Sequence, residues 1–410
     1  MEYSKIGDIC LKVCSGGTPN SSNPNYYNGG IPWLNTNEVN FCNIYSTNKT
    51  ISQEGLEHSA AKYVPANTVV VAMYGVTAGK SAIAKIPLTT NQACCNLVID
   101  AAKADYRYVY YFLKQQSDNL NKLANGGAQQ NLNSLIIKKY KIALPELPIQ
   151  HRIASILSTY DTLIENNTKR IRLLEKMAEN LYKEWFVRFR FPEHENVEME
   201  NGLPKGWKIE TLGEWGIELE TGKRPKGGID GSMKDGCPSL GAECIKELAS
   251  FDYSSVKMVP KKFYDNLKRG KSSGNNILLY KDGAYIGKVT MFRDSFPYAE
   301  YSINEHVFFL SPKNIKYRNY LYFTLHQKEF FALMQNLNRN AAQPGLSRSD
   351  VERVKVVVPH SKIVELFDIQ VERMLKVIFS LAKQNSHLAR QRDLLLPRLM
   401  SGKLEVKVKA

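Results

Sequence analysis

The stretch "IQHRIASILSTYDTLIENNTKRIRLLEKMAENLYKEWFVRFR" occupies residues 149–190 and contains neither Gly nor Pro. Within it Leu157, Tyr160, Ile164, Asn167, Ile171, Leu174, Ala178, Leu181 and Trp185 recur at alternating spacings of three and four. This is a heptad seam, the pattern of a helix that turns one narrow stripe toward another helix. A second stretch has the same rhythm. Phe367, Val371, Met374, Ile378, Leu381, Asn385, Leu388, Arg392, Leu395 and Leu399 are again three and four apart, and subtracting 214 from 371 through 399 returns 157 through 185. Matched length and register predict that the two helices are partners within one chain. The simpler alternative is two amphipathic helices, each packed on its own domain.

The segments before the two helices echo each other. "KIGDICLKVCSGGTP" from Lys5 answers "TLGEWGIELETGKRP" from Thr211, and "GVTAGKSAIAK" from Gly75 answers "GAYIGKVTMFR" from Gly283. "YRYVYYFLKQQ" from Tyr106 answers "YRNYLYFTLHQ" from Tyr317, and "AQQNL" from Ala128 answers "AQPGL" from Ala342. The offsets of 206, 208, 211 and 214 rise in order, as in a duplication with small insertions. The expected order is a globular domain over 1–147, a helix over 148–190, a linker over 191–206, a second domain over 207–359, a helix over 360–402 and a tail over 403–410.

Each domain alternates strand and helix signals. "NTVVVAMYG" from Asn67 and "SAIAKI" from Ser81 read as two strands around a turn that carries Lys80. "NQACCNLVID" from Asn91 reads as a further strand, and "RYVYYFLKQQSDNLNKLA" from Arg107 as one helix stopped by Asn125, Gly126 and Gly127. "YKIALP" and "VKVVVP" close the two domains before Pro145 and Pro359. "CSGGTPNSSNPNYYNGGIPW" from Cys14 is dense in turn residues and reads as loop, and acidic, Pro- and Gly-broken 191–206 reads as a tether. The fold class is therefore mixed α/β: two similar domains joined by two long helices with pseudo-two-fold symmetry.

A formal net charge of +15 over 410 residues points to a polyanionic partner. No apolar run approaches the ~20 residues of a membrane span, and the first residues lack a signal-peptide core, so a cytoplasmic protein is expected. Seven cysteines fit reduced thiols rather than a paired framework. Catalytic motifs do not hold up. "GVTAGKS" places three residues between its glycines where a phosphate-binding loop needs four, and its second copy, "GAYIGKV", lacks the Ser. No Cys or His pair has zinc-finger spacing, and "NPNYY" from Asn23 is a poor echo of an adenine-methyltransferase motif. The reading is a binder without metal, cofactor or catalytic residues of its own.

Five pieces taken in order make the reading specific: "SGGTPNSSNPNYYNGGIPW" from Ser15, "LPELPIQHRIASILSTYD" from Leu144, "LYKEWFVRFRFP" from Leu181, "LPKGWKIETLGE" from Leu203 and "RDLLLPRLMSGKLEV" from Arg392. Over essentially its whole length the chain resembles the specificity subunit of a type I DNA restriction-modification system. It departs from the pattern in lacking a counterpart of Gln150 in "VPHSKIVEL", and in starting without an "LPKGW" lead. The resemblance implies two target recognition domains with the two long helices as an antiparallel coiled coil between them, the domains reading the halves of a bipartite, asymmetric double-stranded DNA site. It implies two modification (methyltransferase) subunits using S-adenosylmethionine, and restriction subunits using ATP and Mg2+ for translocation and cleavage. All of those cofactors would sit in the partners. A helix of 42 residues would be about 63 Å long at 1.5 Å per residue, enough to set reading surfaces about one DNA turn apart.

Base-reading candidates lie in polar or basic loops present in both copies. They are Thr77, Lys80, Gln129, Gln130 and Asn131 in the first domain, and Arg224, Lys226, Tyr285, Lys288, Arg339, Asn340 and Gln343 in the second. Letters shared by both copies, such as Gly79/Gly287 and Lys80/Lys288, also suit a framework or phosphate role, because domains with different targets share no bases. In the seam, a polar residue costs stability but specifies register. Setting Asn167 against Asn385 pairs residues whose numbers sum to 552; Tyr160 then meets Arg392. A coiled-coil adaptor that joins two proteins without DNA would explain the repeat but leave the charge unused. A single-chain nuclease-methylase lacks its motifs.

Overall fold

The structure is a computed structural model of the chain, and it describes residues 2–125, 132–229, 231, 233, 235–272, 274–337 and 345–407. The chain divides into two compact units, Met1–Leu163 with Leu388–Ala410, and Ile164–His387. Each unit thus holds one globular domain and a segment of each long helix.

In the first unit, five strands lie side by side in the order Cys10–Ser15, Cys94–Ile99, Val69–Ala72, Ser81–Ala84, Asn43–Ile44. Val69–Ala72 is buried along its whole length, as its unbroken β-branched run requires of a central strand. A three-stranded sheet orders Lys49–Ile51, Tyr27–Leu34 and Thr89–Thr90, and Glu2–Lys5 pairs antiparallel with Lys141–Leu144. The second unit repeats this frame. Ile217–Thr221, Val307–Pro312, Asn276–Tyr280 and Val289–Phe292 take the same spatial order without the last edge strand. Its three-stranded sheet orders Lys257–Val259, Cys237–Leu240 and Ser302–Ile303, and Lys208–Thr211 pairs with Lys355–Val358. Even the local parallel pairing recurs: Trp33 with Thr89 and Leu34 with Thr90, then Ser239 with Ser302 and Leu240 with Ile303.

The central helix runs Leu147–Tyr182. Pro148 sits in its first turn, where an N–H has no intrahelical acceptor to lose. A π turn, Lys183–Val187, closes it and buries Phe186 against Tyr320 at 4.6 Å and Phe367 at 5.0 Å between ring centroids. The C-terminal helix runs Ser361–Met400, and Gly402 follows it with φ 72°.

The seam residues are buried or half-buried, and several lie in the cores. In the first unit Leu157 is buried in one cluster with Leu396 and Leu399, with Leu395 packed beside them. Tyr160 is half-buried. In the second unit Ile171, Ala178, Val371, Ile378 and Leu381 are buried together, with Leu174, Leu181 and Met374 at the margin. Ile164 and Leu388 are half-buried. The C-terminal helix also buries a stripe that the heptad pattern leaves out: Leu375, Phe379 and Ala382 are all in the core. Phe379 meets Phe296 of the sheet domain at 5.8 Å, so this helix packs on a domain as well as on a helix and needs a wider apolar face than a coiled-coil seam.

Asn167 is buried, and Asn385 donates through Nδ2 to Thr168 Oγ1 at 3.2 Å, one residue beyond Asn167. Arg392 pairs with Asp161 at 2.5 Å rather than resting on Tyr160. Both contacts join residues whose numbers sum to 553, one more than the Asn-to-Asn register. A carboxylate offers a guanidinium a charge-assisted bond, which a ring face does not.

Three local expectations change. The helix expected from Arg107 is two helices, Tyr106–Gln115 and Ser117–Asn125, with Gln116 as the break. The turn-rich stretch contains the strand Tyr27–Leu34, interrupted by a register shift between Tyr27 and Ile31. Segment 191–206 is not a bare tether: Met199–Glu200 pairs with Leu203–Pro204, and Phe191 stacks on Trp207 at 5.3 Å.

Candidate nucleic-acid interface

In both units the Gly-rich turn is latched to the helix behind it. Gly79 has φ 82°, and a Cβ there would stand 2.8 Å from Ser117 O and 3.0 Å from Asn121 N. Gly287 has φ 87°, and its Cβ would stand 2.4 Å from Met334 Cβ. Left-handed backbone and close approach both demand glycine here. Asn121 Nδ2 donates to Ala78 O at 2.9 Å, and Gln335 Nε2 donates to Ile286 O at 2.5 Å. The two amides hold matching carbonyls, so the turn's shape is set by the frame and its outward side chains are left to vary. Val76 at the first tip is 92% exposed and Tyr285 at the second is 62% exposed.

The candidates separate on this frame. Thr77 is buried, and its Oγ1 donates to Thr36 O at 2.7 Å, so its hydroxyl holds the turn. Lys80 donates to Asn40 Oδ1 at 2.8 Å beside the Phe41 ring. Lys288 pairs with Glu247 at 2.9 Å, and Arg224 with Glu305 at 2.9 Å. Exposed pairs of this kind contribute about 0–1 kcal/mol, little enough for a phosphate to displace the carboxylate. Lys226 is exposed. The turns bring Thr77 together with Lys80, and Tyr285 with Lys288. Gln129, Gln130, Asn131, Arg339, Asn340 and Gln343 lie outside the described residues. The helices that lead toward them, Ser117–Asn125 and Lys328–Leu337, are the ones latched to the turns.

Each domain is also clasped to a helix. Asp105 caps Tyr106–Gln115 by accepting from Arg107 N at 2.8 Å, and it also accepts from the Arg107 side chain and meets His151 Nδ1 at 2.7 Å. Burial alone would raise its pKa, but these bonds outweigh burial and lower it. Gln150, 1% exposed, accepts from Asp105 N at 3.0 Å and donates to Pro145 O at 2.8 Å. In the second unit Arg293, 5% exposed, makes a two-pronged pair with Glu372 at 2.6 and 2.9 Å. Sequence reading missed Asn121, Gln335 and Arg293; for the latch pair, the signal was a shared carboxamide at matching positions of the repeat.

The profile of the type I restriction modification DNA specificity domain matches residues 1–176 and 204–389, one copy to each half of the repeat. The chain belongs to this family. It is a type I restriction-modification DNA specificity subunit, a non-catalytic component of such systems. Among similar proteins is the type I restriction enzyme MjaIX specificity subunit of Methanocaldococcus jannaschii, 28% identical over 99% of this chain and 94% of that one. Another is the type I restriction enzyme EcoR124I/EcoR124II specificity subunit of Escherichia coli, 29% identical over 48% of this chain and 50% of that one. The crystal structure of the type I restriction-modification S subunit from M. genitalium shares the fold, with a TM-score of 0.57 at 19% identity over 97% of this chain and 95% of that one. Among the described residues of this specificity subunit, no helix is long and apolar enough to cross a membrane.

Proposed function

We propose that the two domains are target recognition domains, each reading one half of a bipartite, asymmetric site in double-stranded DNA. The observation that carries this is the doubled frame with divergent tips. One sheet order, one glycine turn and one amide latch recur, while Val76 is the exposed side chain at one tip and Tyr285 at the other. A conserved frame with different side chains at the same edge is what two different half-sites require. Lys80, Arg224, Lys226 and Lys288 supply phosphate contacts, Tyr285 a base-edge or stacking contact, and the stretches around Gln129, Gln130, Asn131, Arg339, Asn340 and Gln343 the remaining readout. The excess of positive charge over the whole chain supports the same reading.

The long helices dock two methyltransferase subunits that carry S-adenosylmethionine and flip the target adenine; restriction subunits bring ATP and Mg2+. On the central helix Leu173 and Met177, one turn apart, are 63% and 54% exposed, an apolar pair that suits a partner surface. The test is an exchange of residues 1–147 for the matching domain of a relative, followed by sequencing of methylated adenines. One half-site should change and the other persist; a simultaneous change of both would show that the domains do not read independently. DNA affinity should also fall steeply between low and moderate salt.

A further inference from the structure

Glu175 and Glu179 are one turn apart on the central helix, and both face His326 at the end of the helix Arg318–Leu325. His326 Nε2 lies 3.2 Å from a Glu179 carboxylate oxygen and 3.9 Å from one of Glu175, and a ligand atom from each of the three falls within 4.8 Å of the others. The side chains are 16%, 28% and 20% exposed for Glu175, Glu179 and His326, so the cluster is half-buried rather than a solvated acidic face. Two carboxylates and an imidazole this close form a donor set that a single cation can bridge.

A second observation is independent of the acidic pair. Tyr322 is fully buried, its hydroxyl has no hydrogen-bond partner, and its ring stacks on His326 at 5.2 Å. The charges that act on its hydroxyl are those of Glu175, Glu179 and Glu247. The matching residue of the first unit, Tyr111, shows what such a phenol ordinarily does: it donates to Asp161 at 2.5 Å. By the repeat offset, Asp161 corresponds to Leu375, so the second unit offers no equivalent acceptor. A buried phenol left unpaired, with its ring against the His326 imidazole, calls for a missing partner.

We propose that Glu175, Glu179 and His326 bind one divalent first-row transition-metal cation of the zinc type, with the Tyr322 oxygen completing the polar wall of the site. An imidazole nitrogen among the donors favours zinc over magnesium or calcium, which prefer all-oxygen sets. The cation would neutralise the crowded carboxylates and tie the central helix to the second domain without any Cys or His pair of finger spacing.

The test uses the full chain stripped with a chelator and titrated with Zn2+ by calorimetry. One saturable equivalent is expected, with at least a tenfold loss of affinity in Glu179→Gln and in His326→Gln and no change in Glu54→Gln, an exposed carboxylate of the first unit. Absence of saturable uptake by the wild-type chain, or uptake that survives both substitutions, would overturn the site. If either variant fails to fold, the wild-type chain still decides: Zn2+ should protect His326 from carbethoxylation, read by peptide mass, and unprotected His326 would overturn the proposal.

Discussion

In the first unit Asp105 and His151 join the N-terminus of a domain helix to the central helix; at the matching positions of the second unit stand Lys316 and Glu365, 2.9 Å apart. The acidic and basic residues have traded places across the same joint. The first version sinks its carboxylate, with Asp105 3% exposed beside His151 at 56%, whereas both partners of the second are solvated, at 58% and 45%. A carbonyl before each helix shows a parallel substitution: Pro145 O accepts from Gln150, and Pro359 O accepts from Tyr317 Oη at 3.2 Å. The absence of a second Gln150 is thus answered by a different residue from another element. The second unit puts its buried charge elsewhere, in Arg293 with Glu372, where the first has Lys85 bonded to the Tyr106 hydroxyl at 3.3 Å. Strand order and apolar seam are shared, while the polar clasps differ. Backbone pairing and burial tolerate few solutions, and a buried donor or acceptor needs only some partner of suitable geometry.

The largest expected effect is at the buried clasp. Glu372→Leu should destabilise the second unit by about 3–5 kcal/mol, because Arg293 is left buried with its main partner gone. Asp105→Ala, which removes a cap and a half-buried pair, should cost about 2 kcal/mol. Denaturant melts of the two variants compare the clasps directly, and equal losses would break the asymmetry. Arg293 holds the Glu372 carboxyl below its usual range. The unfolded chain therefore binds more protons in the acid window. This stability is complete above the unfolded value of about 4.3 and is lost as pH falls through the lower folded value. Glu372→Gln should accordingly flatten the decline of stability below pH ~4.3, measured as melting temperature against pH.

The glycine turns come next. Gly287→Ala should cost about 2–4 kcal/mol, combining left-handed strain with a collision against Met334 Cβ. Gly79→Ala should cost about 1–3 kcal/mol, since its nearest neighbour stands at 2.8 Å rather than 2.4 Å. Thermal melts check the order, and a reversed order would show that the first turn is the tighter one. The smallest pair is the sharpest. Tyr111→Phe should lose about 1–2 kcal/mol with its bond to Asp161, whereas Tyr322→Phe in the metal-free chain should be neutral or slightly stabilising, because its hydroxyl has no partner to lose. Equal costs for the two would remove the contrast between the phenols.

Much of the frame could be read from the sequence because it rests on periodicity. The offsets of the repeat, the strands at Val69–Ala72 and Ser81–Ala84, and the seam from Leu157 to Leu395 all follow from which residues must leave water and at what spacing. The same spacing could not show that the C-terminal helix buries Leu375, Phe379 and Ala382 as well, since that face is chosen by the sheet domain it meets. Nor could it show that Arg392 would take Asp161 instead of Tyr160, a choice set by a shift of one residue along the helices. Thr77, read as a base contact, has its hydroxyl bonded to Thr36, 41 residues away in sequence. The cluster of Glu175, Glu179 and His326 joins residues about 150 positions apart, with no motif spacing to announce it. Burial leaves a periodic trace along the chain; polar partnership depends on which side chains the folded backbone brings within about 3 Å, and that is decided only in three dimensions.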